Sequence, residues 1–186
     1  DVLPPTINQS KVFFTIEGDS SIRFGLGGIK NVGEDIVQTV VKERKENGNF
    51  KSLDDFVERV AKKGVQKRAI EYLIMAGTMD EFGDRAALLS ILPTIFERAK
   101  KSNSAKSVGQ IDIFSLSQGA STVPEVTSTP LPNIEKTPKF QVLQWEKELL
   151  GLYFSSHPLD NLQEFFESKK VIPVKDALDK KNREVV

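Results

Sequence analysis

The residues of this chain that offer chemistry offer binding chemistry, and three stretches carry it. Ile29-Lys30-Asn31-Val32-Gly33 runs straight into Glu34-Asp35-Ile36-Val37. These types predict a tight turn feeding a helix. Gly33 can take φ > 0 at no steric cost, and Asn31 is the non-glycine type that tolerates the left-handed region best. Val32 between them is an inward anchor. Such a turn presents N–H groups at the positive end of a helix, which suits an anion and a phosphate above all. The second stretch is the positive run Lys62, Lys63, Lys67 and Arg68, with no acid between Arg59 and Glu71. It reads either as a solvated helix face or as further phosphate contacts. The third is Gln110-Ile111-Asp112-Ile113-Phe114. Its glutamine amide can donate and accept at the rim of a pocket. Ile113 and Phe114 would each gain roughly 1.5–3 kcal/mol in an apolar groove, with Asp112 left in water. The plain alternative is a chance match whose apolar pair tucks back onto the chain's own fold.

Other chemistry is excluded. There is no cysteine and one histidine, His157, so a thiolate or zinc site is ruled out, and His157 is read as orienting the turn at Pro158. Glu146 and Glu148 are two residues apart and share no helix face, so they are read as surface charges rather than an acid–base pair. Gly25, Gly27 and Gly28 are followed by Lys30 where a dinucleotide fingerprint needs glycine, and no Gly-Lys-Ser/Thr is present. No catalytic residue, metal site or cofactor is therefore expected here. The 186 residues carry a formal net charge of zero, so any nucleic-acid contact must come from local patches. The absence of cysteine suits a reducing cytoplasm. No apolar run approaches the roughly 20 residues of a membrane span, and no signal peptide is seen. The chain starts without Met and ends on Val185-Val186, which reads as a piece of something longer.

The elements that must position these residues follow from pattern. Two prolines make residues 1–10 an extended lead-in. Val12–Ile16 and Ile22–Phe24 predict a β-hairpin around Gly18-Asp19-Ser20. A helix should run from Glu34 to about Glu46 and stop at Asn47-Gly48. Ser52 with Asp55 predicts a capping box, opening a short helix closed near Gly64. The next helix buries Ile70, Leu73 and Ile74 and ends at Gly77, where Ala76-Gly77-Thr78-Met79 reads as a second, weaker hairpin. Asp84 should cap a helix carrying Leu88, Leu92, Ile95 and Phe96, kinked at Pro93 or broken after Leu92. Residues 101–136 lose periodicity and read as a flexible loop. Thr137-Pro138 restarts order as N-cap and N1 of a helix with Phe140, Leu143, Leu149 and Leu150 inward. A last helix follows Ser156-His157-Pro158-Leu159, with Leu162, Phe165 and Phe166 inward. The fold class is mainly α, with a small N-terminal β-hairpin, a helical bundle, a flexible loop and C-terminal helices.

The turn at 29–33 resembles the hairpin of a helix-hairpin-helix motif, with Asn31 where the first glycine usually stands. Three segments in order resemble the alpha subunits of bacterial DNA polymerase III, the family C replicative polymerases. They are Ile22 to Gly33; Leu73-Ile74-Met75-Ala76-Gly77-Thr78-Met79-Asp80; and Glu146-Lys147-Glu148-Leu149-Leu150-Gly151-Leu152-Tyr153 with Ser156-His157-Pro158-Leu159. The resemblance implies the region after the polymerase active site. It implies the end of the fingers over 1–27, a tandem helix-hairpin-helix domain over 28–100, and a linker over 101–136. Gln110–Phe114 there looks like the sliding-clamp-binding pentapeptide. A helical segment over 137–170 and a lead into an OB-fold domain over 171–186 follow. The implied partners are double-stranded DNA, the sliding clamp (beta subunit) and other replisome subunits, with no membrane. The catalytic aspartates, and the Mg expected of the parent polymerase, would lie elsewhere. The alternative is an interaction module that binds only the clamp, its hairpins purely structural.

Overall fold

The computed structural model describes residues 1–107, 128–169 and 171. The chain divides into two compact units, Asp1–Phe154 and Ser155–Val186.

The first unit opens with three short strands, β1 (Val2–Leu3), β2 (Thr15–Glu17) and β3 (Ser21–Arg23). β3 is central, antiparallel to β2 and parallel to β1. The predicted hairpin is present, turned by Gly18 at φ 64. Two details differ: the lead-in adds a third strand, and Val12–Phe14 lies outside the ladder. The reason lies in the glycines. The carbonyls of Lys11 and Val12 accept from Leu26 N–H and Gly27 N–H, both at 2.9 Å, so this stretch pairs with the glycine run instead of the sheet. A Cβ on Gly25 would stand 2.4 Å from the Phe13 backbone, a distance only glycine allows.

Helices α1 (Glu34–Asn47), α2 (Leu53–Ala61), α3 (Lys67–Met75) and α4 (Arg85–Ser107) form the bundle. Gly48, at φ 78, ends α1 as predicted. Ser52 Oγ accepts the Asp55 N–H at 3.2 Å, while the Asp55 carboxylate reaches back to Lys51 N–H at 3.0 Å rather than to Ser52. α4 runs through Pro93 with no break after Leu92 and continues to Ser107, past residue 101 where the loop is expected to begin. Leu92 and Ile95 beside it are fully buried, and their packing offsets the hydrogen bond that proline forfeits. The core is built from Phe56, Val57, Val60, Ile70, Leu73, Ile74, Met79, Leu88, Leu92 and Ile95. Arg44 ties the lead-in to α1 through the carbonyls of Ile7 and Ser10.

Helix α5 (Lys139–Leu149) packs on α3. Leu143, Leu149 and Leu150 face inward as predicted, but Phe140 is 78 % exposed, because the buried stripe begins only at Leu143. Glu146 lies in that stripe and is buried, not a surface charge. Pro138 occupies the N-cap position with no side-chain cap; Thr137 spends its hydroxyl on Asp84 instead.

The second unit holds a 3-10 turn (Asp160–Leu162) and α6 (Gln163–Ser168). His157 orients the turn at Pro158: its Nδ1 accepts the Leu159 N–H at 3.2 Å, and its own N–H donates to Asp160 at 2.7 Å. Leu162 and Phe165 are exposed rather than inward.

Candidate nucleic-acid interface

The bend at 29–33 is built on a short 3-10 turn, Leu26–Gly28. Asn31 takes φ 65, as its type predicts. Val32 is buried at 7 % exposure and anchors the bend. Gly33 departs from expectation: it is the N-cap of α1 at φ −65, ψ 147, an extended conformation open to any residue. Lys30, Asn31 and Gly33 are exposed. Lys30 N–H donates to the Leu149 carbonyl at 3.0 Å, and Val32 N–H to Ile29 at 3.4 Å. The amides of Asn31, Gly33, Glu34 and Asp35 have no acceptor among the described residues. Four donors without a protein acceptor, in exposed residues at a helix mouth, can hold an anion, but Glu34 and Asp35 already compensate the dipole there.

The same backbone recurs 33 residues on. Gly64 takes φ 85, Val65 is buried at 4 %, and Gln66 is the extended N-cap of α3 at φ −81, ψ 149. In each bend the N-cap carbonyl accepts the third and fourth amides after it: Ile36 and Val37 on Gly33, Ala69 and Ile70 on Gln66. The second hairpin is therefore Lys62–Gln66, between α2 and α3, and not the corner at Ala76–Met79. That corner is a Schellman cap, with Gly77 N–H on Ile74 at 2.9 Å and Thr78 N–H on Leu73 at 3.2 Å. Ala76, Thr78 and Met79 are buried, so the corner offers no solvent-facing amides of the hairpin kind. The sequence held the clue in Gly64-Val65, glycine then buried aliphatic, which is easily read as a helix stop.

The basic run belongs to this second hairpin. Lys62 and Lys63 lie in its turn, and Lys67 and Arg68 form the first turn of α3, which carries no acid. Lys63 pairs with Glu43 at 2.5 Å and Lys67 with Glu71 at 3.6 Å. Arg68 lies over the Tyr72 ring and bonds its hydroxyl at 3.2 Å. Lys62 is exposed, with no acidic partner among the described residues. Burial pushes the Glu43 carboxyl up, but hydrogen bonds from Lys63, Arg59 and Asn47 outweigh it and hold the group down at about 2. Asp84 is likewise held below its usual range, burial being outweighed by bonds from Thr137, Ala86 and Ala87. Gln110–Phe114 lies outside the described residues. Among the described residues no three carboxylate or histidine side chains converge as a metal ion needs.

The same αL–valine–N-cap bend leads from a 3-10 turn into α1 and joins α2 to α3, which defines a helix-hairpin-helix protein, and residues 1–88 match the family model described as a helix-hairpin-helix motif. Similarity then continues beyond that motif. The chain is 39 % identical over 176 residues to DNA polymerase III subunit alpha of Chlamydia trachomatis serovar D, covering 94 % of this chain and 14 % of that protein. It is 39 % identical over 158 residues to the subunit of Thermus aquaticus, covering 85 % and 12 %. It is 37 % identical over 177 residues to that of Bacillus subtilis, covering 95 % and 15 %. The chain belongs to the family of DNA polymerase III alpha subunits, and it spans 12–15 % of the length of these relatives.

Proposed function

We propose that this chain grips the sugar-phosphate backbone of double-stranded DNA without reading bases, as part of a cytoplasmic replicative DNA polymerase whose nucleotidyl transfer takes place outside these residues. The observation that carries the reading is the repeated bend. Lys30, Asn31, Val32 and Gly33 form one copy, and the second sits among Lys62, Lys63, Lys67 and Arg68. The valines set each bend, the amides just after them have no acceptor among the described residues, and the second mouth adds positive charge. Phosphate contacts of this kind position a duplex and carry no sequence information. The second hairpin supplies most of the attraction, since α3 opens on Lys67 and Arg68 where α1 opens on Glu34 and Asp35.

A titration of labelled duplex across salt concentrations tests this. Binding should ignore sequence, and Lys62→Ala should lower the salt slope by about 1. Strong preference among unrelated duplexes, or an unchanged slope, would count against a backbone grip.

The same reading makes Gln110, Ile111, Asp112, Ile113 and Phe114 the tether to the sliding clamp. Its support is the residue types and their place between α4 and α5. Gln110→Ala with Phe114→Ala should abolish clamp pull-down and leave folding intact; undiminished pull-down removes the motif. One observation favours a second reading, a clamp-binding module whose hairpins are corners only: the first bend already lends its Lys30 amide to α5.

A further inference from the structure

The segment that returns to the bundle after residue 128 is fastened at four places, and the last is the first hairpin. Asp54, buried in the first turn of α2, accepts both the N–H of Thr129 at 2.9 Å and its hydroxyl at 2.6 Å. Asp84, beside the first turn of α4, repeats the arrangement on Thr137: the N–H lies 3.1 Å from both carboxylate oxygens and the hydroxyl 2.8 Å from one. The Ala86 N–H is shared between Asp84 and the Thr137 hydroxyl, each at 2.9 Å, so the start of α4 and the arrival of the segment are one network. One turn from its end, α5 is held by Glu146, whose carboxylate pairs with Arg85 at 3.3 Å and accepts the Phe154 N–H at 2.7 Å. The fourth contact is the Leu149 carbonyl on Lys30 N–H. A carbonyl left over at a helix C-terminus and an amide left over in a bend satisfy each other.

Apolar burial does little to hold the stretch before α5. Leu131, seated against Gly83, is 43 % exposed and Ile134 42 %. The position of α5 is set along its inner face by the buried Leu143, Leu149 and Leu150, in its last turns also by Glu146, and at its start by Thr137. A helix of this length transmits a displacement at one end across about 16 Å to the other.

We infer that Thr137, held by Asp84, is a positioning residue for the hairpin 29–33: by fixing where α5 begins, it fixes the Leu149 carbonyl and so the direction in which the Asn31 and Gly33 amides face. This rests on the duplex-grip reading and deepens it, because it makes affinity at the first hairpin depend on a residue that touches no ligand.

Amide hydrogen exchange on the 186-residue chain, run beside the duplex titration, tests it with Thr137→Val and Thr137→Ser. In Thr137→Val the Lys30 amide should exchange about tenfold faster or more, with the amide of Val40 inside α1 unchanged. Duplex binding should weaken about two- to tenfold, the worth of a hydrogen bond. Thr137→Ser keeps the hydroxyl and should restore both. If Thr137→Val does not fold, Glu146→Gln, which keeps the side-chain shape, must give the same paired changes. Unchanged Lys30 exchange overturns the inference, and so does faster exchange with wild-type affinity. A wild type that binds no duplex removes the underlying reading and the affinity half of the inference, while Lys30 exchange still decides whether the segment sets the bend.

Discussion

Two glycines of the chain look alike in the sequence and carry opposite constraints. Gly33 sits at φ −65 with nothing within 4 Å of where a Cβ would stand. Gly77 sits at φ 79, and a Cβ there would meet the Arg85 guanidinium at 2.3 Å. Gly33→Ser supplies the hydroxyl cap that α1 lacks and stiffens the unfolded chain, so it should stabilise by about 0.5–1 kcal/mol. Gly77→Ala forces a left-handed alanine against a buried ion pair and should cost about 2–4 kcal/mol. Urea unfolding of the two variants measures both; equal effects would contradict the geometry. Glu43 gives a third residue-scale expectation. Its folded pKa of about 2 lies below the usual carboxylate value of 4.5. The depressed folded value means that the stabilisation is complete above pH 4.5 and is lost as pH falls toward 2. Its worth is about 1–2 kcal/mol, allowing for the open side of the groove it lines with Lys63. In Glu43→Gln, that part of the acid-induced loss should disappear from unfolding curves taken between pH 5 and pH 2.

At the scale of elements, what could be read from the sequence was what is local. The ends of α1, the Ser52 cap, the Asp84 cap and the apolar stripes of α2, α3 and α4 all follow from neighbours within a turn or two, and the structure has them. What could not be read was set by partners far along the chain. Glu146 looks like a surface charge until Arg85, 61 residues away, is placed beside it. Thr137 looks like a helix cap until Asp84 takes its hydroxyl. Gly25 and Gly27 match no nucleotide loop, and their role shows only when the lead-in is laid across them. The second hairpin was missed for a related reason. A glycine after a helix signals a stop in any sequence, and only the buried Val65 and the extended Gln66 show that the stop is also a start. Arg85 is the element-scale hub: it donates to the Met75 carbonyl, pairs with Asp80 and pairs with Glu146, joining α3, the Gly77 corner, α4 and α5.

For the whole molecule, a net charge of zero leaves only local fields to draw in a polyanion, and the first turns of α1 and α3 carry opposite charges. The mouth of α3 carries Lys67 and Arg68, with Lys62 and Lys63 in the turn before them; the mouth of α1 carries Glu34 and Asp35. If both bends face the same duplex, the α1 carboxylates repel the phosphates that the Asn31 and Gly33 amides attract. Glu34→Gln with Asp35→Asn removes two negative charges and keeps both backbone amides. At an ionic strength near 0.01 M, where screening reaches roughly 30 Å, the double variant should bind duplex about two- to fourfold more tightly. Near 1 M, where screening reaches roughly 3 Å, the gain should vanish. If the first bend is a corner that serves only to seat α5, the duplex lies too far away to sense the change, and affinity stays the same at every salt. The outcome that would mislead is a gain that persists in high salt, since it would report a shift in folding rather than in field. Thermal unfolding of the same double variant separates the two, because losing acids from the first turn of α1 weakens that helix by a few tenths of a kcal/mol and cannot by itself tighten a complex.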